Sequence, residues 1–113
     1  MNRLVFFALI AGVAFDVAAR SPADAGLAAV QDLGSLNGQA LACGQMAISG
    51  KTKGLMLAYA PKTRSYGEAF EEATNAVYLE QGRDQGSCPE AADFTVKLNE
   101  LSARLQKALP GEK

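Results

Sequence analysis

The residues best suited to covalent chemistry are the two cysteines of the chain, Cys43 and Cys88. Redox-active cysteines usually have only two residues between them, in the pattern Cys-x-x-Cys, whereas these two are about 45 residues apart. In an exported protein, a single pair of distant cysteines normally forms a disulfide. We therefore predict a structural Cys43–Cys88 disulfide, worth about 4 kcal/mol through the large loop that it closes. A redox pair is the alternative.

No other set of residues in the sequence points to catalysis or to metal binding. The 113 residues include no His, the commonest general base and metal ligand. Glu68 and Glu72 stand one helical turn apart, where paired carboxylates can transfer protons or bind cations. Such pairs on a helix surface more often point to water and repel each other mildly. The sequence thus predicts a protein that is not an enzyme, without a cofactor or a bound metal.

The N-terminal segment has the pattern of a secretory signal peptide. One positive charge precedes an apolar run over residues 4–15, and small residues ending at Ala19 follow. A membrane-spanning helix needs about 20 apolar residues, and Asp16 interrupts this run too early. We predict a cleaved signal peptide at residues 1–19 and one domain at residues 20–113, in the periplasm or secreted. An uncleaved anchoring helix is the alternative.

The sequence after the signal favours helices, beginning with two whose ends are set by capping residues. Ser21 and Pro22 suit a helix start, and Gly34 suits a left-handed C-cap, so we predict a short, loosely docked first helix between them. Asn37 would cap a second helix that ends at Pro61. Its apolar residues recur at helical spacing, which favours a buried stripe.

Three glycines lie within the predicted second helix, at Gly44, Gly50 and Gly54. Each costs roughly 1 kcal/mol relative to Ala in a helix interior, although small residues also allow a neighbouring helix to approach closely. The pattern therefore predicts a helix that is either held by close packing or broken near Gly50.

Two further helices are predicted from Ser-x-x-Glu patterns typical of capping boxes. The first pattern starts at Ser65 and opens a third helix that Gly82 would end. The second starts at Ser87, places Cys88 at the first helical position, and opens a fourth helix that Pro110 would end. Their apolar faces are expected at Tyr66, Phe70, Ala73 and Val77, and at Ala91, Phe94, Leu98, Leu101, Leu105 and Ala108. Because no segment alternates like a strand, we predict an all-α bundle of three to four helices with one disulfide.

The charge pattern suggests an interaction surface but no nucleic-acid partner. The formal net charge is −1, and a basic stretch with Lys51, Lys53, Lys62 and Arg64 contains no acid. So few bases do not predict nucleic-acid binding. The stretch would dock an acidic partner or a phosphate-rich surface, or else complement the acidic residues that follow within the fold.

Apolar and aromatic residues around the second helix predict where a protein partner binds. The turn at Pro61 brings Arg and Tyr together, a pair of types enriched at interfaces. The Met-rich patch before it is too wide for one core and favours either a partner or self-association, including a homodimer. The predicted partner contacts are Met46, Met56, Tyr59, Arg64 and Tyr66.

The layout also resembles that of small periplasmic helical proteins with one long-range disulfide. The resemblance rests on Leu41-Ala42-Cys43 in one helix, Ser87-Cys88-Pro89 opening another, Tyr66-Gly67 between them, and a leucine-rich last helix ending at Pro110. It covers residues 38–110 and points to HdeA-type acid-stress chaperones and to type VI secretion immunity proteins. It implies the helical architecture and carries over no functional residues, since small residues surround Cys43 here.

Together these patterns predict an exported, non-enzymatic helical protein that binds a protein partner. It would act on that partner as an accessory subunit, an inhibitor or an immunity factor. An HdeA-like stress chaperone is the alternative, in which acid loosens the fold and exposes apolar surface. No stable membrane insertion is expected once the signal is cleaved.

Overall fold

The computed structural model describes residues 22–84 and 87–110, which fold into an all-α bundle stapled by one disulfide. The helices are α1 (Pro22–Ala42), α2 (Met46–Tyr59), α3 (Arg64–Asp84) and α4 (Ala91–Ala108). The described ranges contain no strand, and the predicted fold class is confirmed. The predicted signal peptide at residues 1–19 lies outside the described residues.

Helix α1 is longer and more central than the sequence predicted, because it runs through both Gly34 and Asn37 without a break. The reason is close packing against α3. A Cβ atom on Gly34 would meet the carbonyl oxygen of Phe70, and one on Gly38 would meet that of Thr74, each at under 3.0 Å. Both glycines are therefore contact points between helices. The prediction of a short, loosely docked first helix ending at Gly34 was wrong.

The chain breaks after α1 at Gly44, which has a positive φ of 76°. A left-handed backbone favours glycine, so the turn forms here rather than at Asn37. Helix α2 then continues through Gly50 and Gly54, and a Cβ atom on either would have nothing within 4 Å. The predicted break near Gly50 and the predicted use of these two glycines for close packing were both wrong.

The start points of the last two helices also differ from the capping-box predictions. Helix α3 begins one residue before Ser65 and continues past Gly82 to Asp84. Helix α4 begins at Ala91, its N-cap residue makes no side-chain capping hydrogen bond, and Cys88 lies outside the helix. Burial of an apolar face against α1 therefore sets these helices, rather than their caps.

Helix α1 makes close backbone contact with each of the other three helices, whereas α3 makes such contact with α1 alone among the described helices. Helices α2 and α4 also touch each other, so α3 lies as a ridge on one side of α1. Helices α1 and α3 run parallel: Gly34 lies against Phe70, and four residues further along both helices, Gly38 lies against Thr74. The buried apolar core is formed by Ala29, Val30, Leu33, Leu36, Ala40, Ile48, Ala60, Phe70, Phe94, Leu98, Leu101 and Leu105.

The predicted Cys43–Cys88 disulfide is present. It joins the turn after α1 to the segment before α4, rather than two helices as the sequence suggested. The loop that it closes, with a sequence separation of 45, contains α2 and α3. The bond therefore connects the two ends of the loop that holds the peripheral helix α3.

Candidate protein-binding site

A groove opens at the end of the bundle where α2 turns into α3 and where α4 finishes. Its volume is about 370 Å³. Pro61 stops α2 from continuing because it has no amide hydrogen to donate, and the chain turns there. The groove, called the turn groove below, is lined by Leu57, Ala58, Tyr59, Ala60, Pro61, Lys62, Leu109 and Pro110.

The walls of the turn groove are apolar and its rim is basic. Leu57 is 70% exposed, which is high for a leucine, while Tyr59 and Leu109 are half-buried against the core. The Lys62 ammonium donates hydrogen bonds to the carbonyl oxygens of Leu57 (2.6 Å) and Ala60 (3.4 Å). Lys62 therefore caps the carbonyl end of α2 and adds a fixed positive charge to the rim.

Arg64 follows two residues later, at the start of α3, and supplies a second exposed cation. Its guanidinium lies 3.8 Å from the Glu68 carboxylate, and the two side chains are 85% and 57% exposed. An exposed pair at this distance is worth at most about 1 kcal/mol, so a partner carboxylate can displace Glu68 at little cost. The turn groove thus combines apolar walls with the ammonium group of Lys62, and the guanidinium of Arg64 follows two residues later in the chain.

The structure places the five predicted partner contacts in different surroundings. Tyr59 lines the turn groove, whereas Arg64 is not a lining residue and follows the lining residue Lys62 by two positions. Met56 and Tyr66 are half-buried and pack against the core. Met46 is 55% exposed but lies at the opposite end of α2, about 20 Å from Tyr59 at 1.5 Å per residue. The five residues therefore do not form one surface.

Leu109 and Pro110 are groove residues that the sequence did not suggest. They are distant in sequence from the turn, and they reach it because α4 runs back along α1 after the disulfide. Pro110 was read as a helix stop, which is confirmed, since α4 ends at Ala108. Its position in a wall was not encoded in any local pattern.

A buried polar cluster joins α1, α2 and α3 away from the turn groove. Asn37 is 2% exposed, and its Oδ1 accepts hydrogen bonds from Ser49 Oγ (2.6 Å) and Thr52 Oγ1 (3.1 Å). Its Nδ2 donates to Thr74 Oγ1 at 3.1 Å. Thr74 Oγ1 lies 2.8 Å from the carbonyl oxygen of Phe70, to which it can donate. Since these groups satisfy one another, the cluster aligns three helices.

The remaining candidates for chemistry are on the surface. Glu68 and Glu72, the predicted carboxylate pair, are both exposed on α3. Within residues 22–84 and 87–110, no group of three or more metal-binding side chains is gathered in one place. None of the described helices combines the length and the apolar character needed to cross a membrane.

Compared with known proteins, the chain matches no family model, no curated sequence and no solved structure. The resemblance to acid-stress chaperones and immunity proteins stays a prediction.

Proposed function

We propose that this is an exported, non-enzymatic protein that binds a protein partner at the turn groove. The partner presents an apolar side chain next to a carboxylate. The apolar side chain enters between Leu57 and Leu109, and the carboxylate pairs with Arg64. The observation that carries this proposal is an exposed, apolar-walled groove that is lined by one cation, Lys62, and by no acid, with Arg64 two residues further along the chain.

The energetics of the groove fit protein recognition. An exposed leucine and a half-exposed tyrosine next to an arginine provide the residue types that supply most of the binding energy at interfaces. Burying apolar surface contributes roughly 25 cal/mol per Å², and an arginine–carboxylate pair adds geometric specificity. The groove is fixed by Pro61 and by the hydrogen bonds of Lys62, so little ordering is needed on binding.

Export is supported by two observations that stand apart from the groove. One is the signal-like pattern at residues 1–19, and the other is the disulfide, which persists in oxidising compartments. Both are compatible with a periplasmic or secreted protein that meets its partner outside the cytoplasm.

A conditional chaperone is the weaker proposal, because acid would act on this fold only through repulsion between surface charges and not on the described part of its core. Every described carboxylate for which burial is known is exposed, so protonation removes no buried charge. The buried polar groups of the Asn37 cluster are an amide and hydroxyls, which do not titrate between pH 2 and 7.

Site-specific photo-crosslinking in the native host tests the proposal. A photo-reactive residue replaces Leu57 in the turn groove, and in a matched control it replaces Val96, which is 58% exposed on α4. We expect one partner of defined mass to crosslink from position 57 and not from position 96. Arg64→Glu in the same protein should abolish that crosslink, because it puts a carboxylate where the partner's carboxylate binds.

The same experiment separates partner binding from chaperoning. Equal crosslinking from both positions, or a crosslink that Arg64→Glu leaves intact, would contradict binding at the turn groove. A broad range of crosslinked proteins that arises only near pH 3 would favour the chaperone instead. The partner, once identified, should bind the purified protein with an affinity that Arg64→Glu lowers by about tenfold or more.

A further inference from the structure

A second surface, on the long side of the bundle, is formed by α2 and α3. It flanks a groove of about 250 Å³ that Asn37, Lys53, Glu71 and Asn75 help to line. Met46 and Gly50 share the Lys53 side of α2, being seven and three residues before it. Tyr78 and Leu79 share the Glu71 side of α3. The α2/α3 face is defined here as Met46, Gly50, Lys53, Glu71, Tyr78 and Leu79.

Three of the five exposed large apolar residues in the described chain lie on this face. Met46 is 55% exposed, Tyr78 47% and Leu79 58%. Large apolar side chains gathered on one side of a small protein commonly mark a contact surface. All three are at the same end of the bundle, since Met46 follows the α1–α2 turn and the other two lie beside Ala42, the last residue of α1.

The two charges of the face, Lys53 and Glu71, have no ion-pair partner among the described residues. Lys53 and Glu71 line the same groove, yet neither makes an ion pair within 4.0 Å in the described residues, where the ion pairs join other side chains. Because they share a groove, they stand at the same level along the bundle. Helix α2 carries Lys51 and Lys53 and no acid, whereas acids outnumber bases on α3.

A two-fold axis parallel to the helices would make this face complementary to itself. Such an axis exchanges left and right but keeps the level, so it lays α2 of one copy on α3 of the other. Lys53 then meets Glu71, and Met46 meets Tyr78 and Leu79, in both halves of the contact. A two-fold axis perpendicular to the helices would instead lay α2 on α2 and bring the lysines together.

We propose that the α2/α3 face binds a second copy of this chain, forming a symmetric dimer with α2 packed against α3 of the partner copy. Gly50 has open space around its missing Cβ, which allows the partner helix to approach closely. The contact is about 20 Å long, the length of α2, and two helices wide. An interface of this size is at the weak end of specific contacts, so the dissociation constant is of the order of micromolar.

Analytical ultracentrifugation of the mature protein over about 5–500 µM tests the dimer, a range that brackets a weak interface. We expect Lys53→Glu to raise the dissociation constant by about tenfold, since it sets carboxylate against carboxylate twice. Glu71→Lys should do the same with two ammonium groups. Mixing the two variants in equal amounts should restore association, because each reversed charge then meets its opposite.

Lys107→Glu, an equal charge reversal at an exposed position of α4, is the matched control and should leave the dissociation constant unchanged. Met46→Lys should also weaken the dimer, through the apolar end of the face. A wild-type protein that is monomeric up to the highest concentration would overturn the proposal. A dimer that both reversals leave intact, or that mixing fails to restore, would overturn it as well.

Discussion

At the scale of single residues, Gly38 is the position where α1 has the least room. Its missing Cβ would lie against the backbone oxygen of Thr74 and the backbone nitrogen of Tyr78, which cannot rotate away as a side chain can. We expect Gly38→Ala to destabilise the fold by about 1–3 kcal/mol, as overpacking does, despite the better helix propensity of alanine.

Gly54→Ala is the matched control, because the same change is made in a helix with nothing within 4 Å. It should stabilise the protein by about 0.5–1 kcal/mol, through helix propensity alone. Urea unfolding followed by circular dichroism gives both free energies from the shift of the midpoint. Equal effects at the two positions would contradict the close contact between α1 and α3.

Residue-level patterns in the sequence predicted the disulfide correctly, but they did not predict where the first helix ends. Two cysteines in a chain leave one intramolecular pairing, so Cys43–Cys88 followed directly. Gly34 and Asn37 were read as a helix stop and a helix cap, because those residue types are common there. Their true roles depend on α3, which lies far away in sequence. The Gly34-x-x-x-Gly38 spacing was the available signal for a close helix contact.

At the scale of helices, α3 packs on one neighbour only, and that contact, with α1, is the most extensive between any two described helices. Its backbone packs closely on α1 alone among the described helices, and it lies within the loop that the disulfide closes. We expect the double variant Cys43→Ala and Cys88→Ala to lose about 4 kcal/mol of stability through the freed loop entropy. Such a loss is a large part of the total stability of a small domain.

Hydrogen exchange locates the effect of removing the disulfide. The amides at the start of α4, beside Cys88, should gain the most exchange in the double variant, because they lose their covalent tie to the end of α1, whereas α3 keeps its extensive contact with α1. Unfolding midpoints that are the same with and without reductant would contradict a stabilising disulfide. Uniform acceleration in all four helices would contradict a local effect at the junction of α1 and α4.

The more clearly a helix separates apolar from polar residues, the better the sequence predicted its buried face and its length. Helix α4 repeats its apolar residues every three or four positions, and Phe94, Leu98, Leu101 and Leu105 are buried as predicted. Helix α1 is rich in small residues on many sides, so its length could not be read from a stripe. The turn groove was found in part, through Tyr59 and Arg64, since both belong to one local turn.

At the scale of the whole molecule, the distribution of charge decides how the protein responds to acid. The described carboxylates lie at the surface wherever their burial is defined, and the ion pairs at Arg64, Lys97 and Arg104 join side chains that are at least 46% exposed. Pairs of this kind contribute about 0–1 kcal/mol each, and that contribution is lost as the pH falls and the carboxylates become neutral. The buried core contains no carboxylate among the described residues, so acid removes little from it.

We therefore expect the protein to keep most of its helical circular dichroism at pH 3 and to bind no more of a hydrophobic dye there than at pH 7. Repulsion between the remaining positive charges lowers the unfolding midpoint without opening the core, because apolar burial on α1 and the disulfide hold the four helices together. The double cysteine variant is the informative comparison, since repulsion without the disulfide should loosen the start of α4 first. Dye binding by the intact protein at pH 3, with helical structure retained and tertiary signal lost, would instead indicate an acid-expanded state of the kind that a conditional chaperone requires.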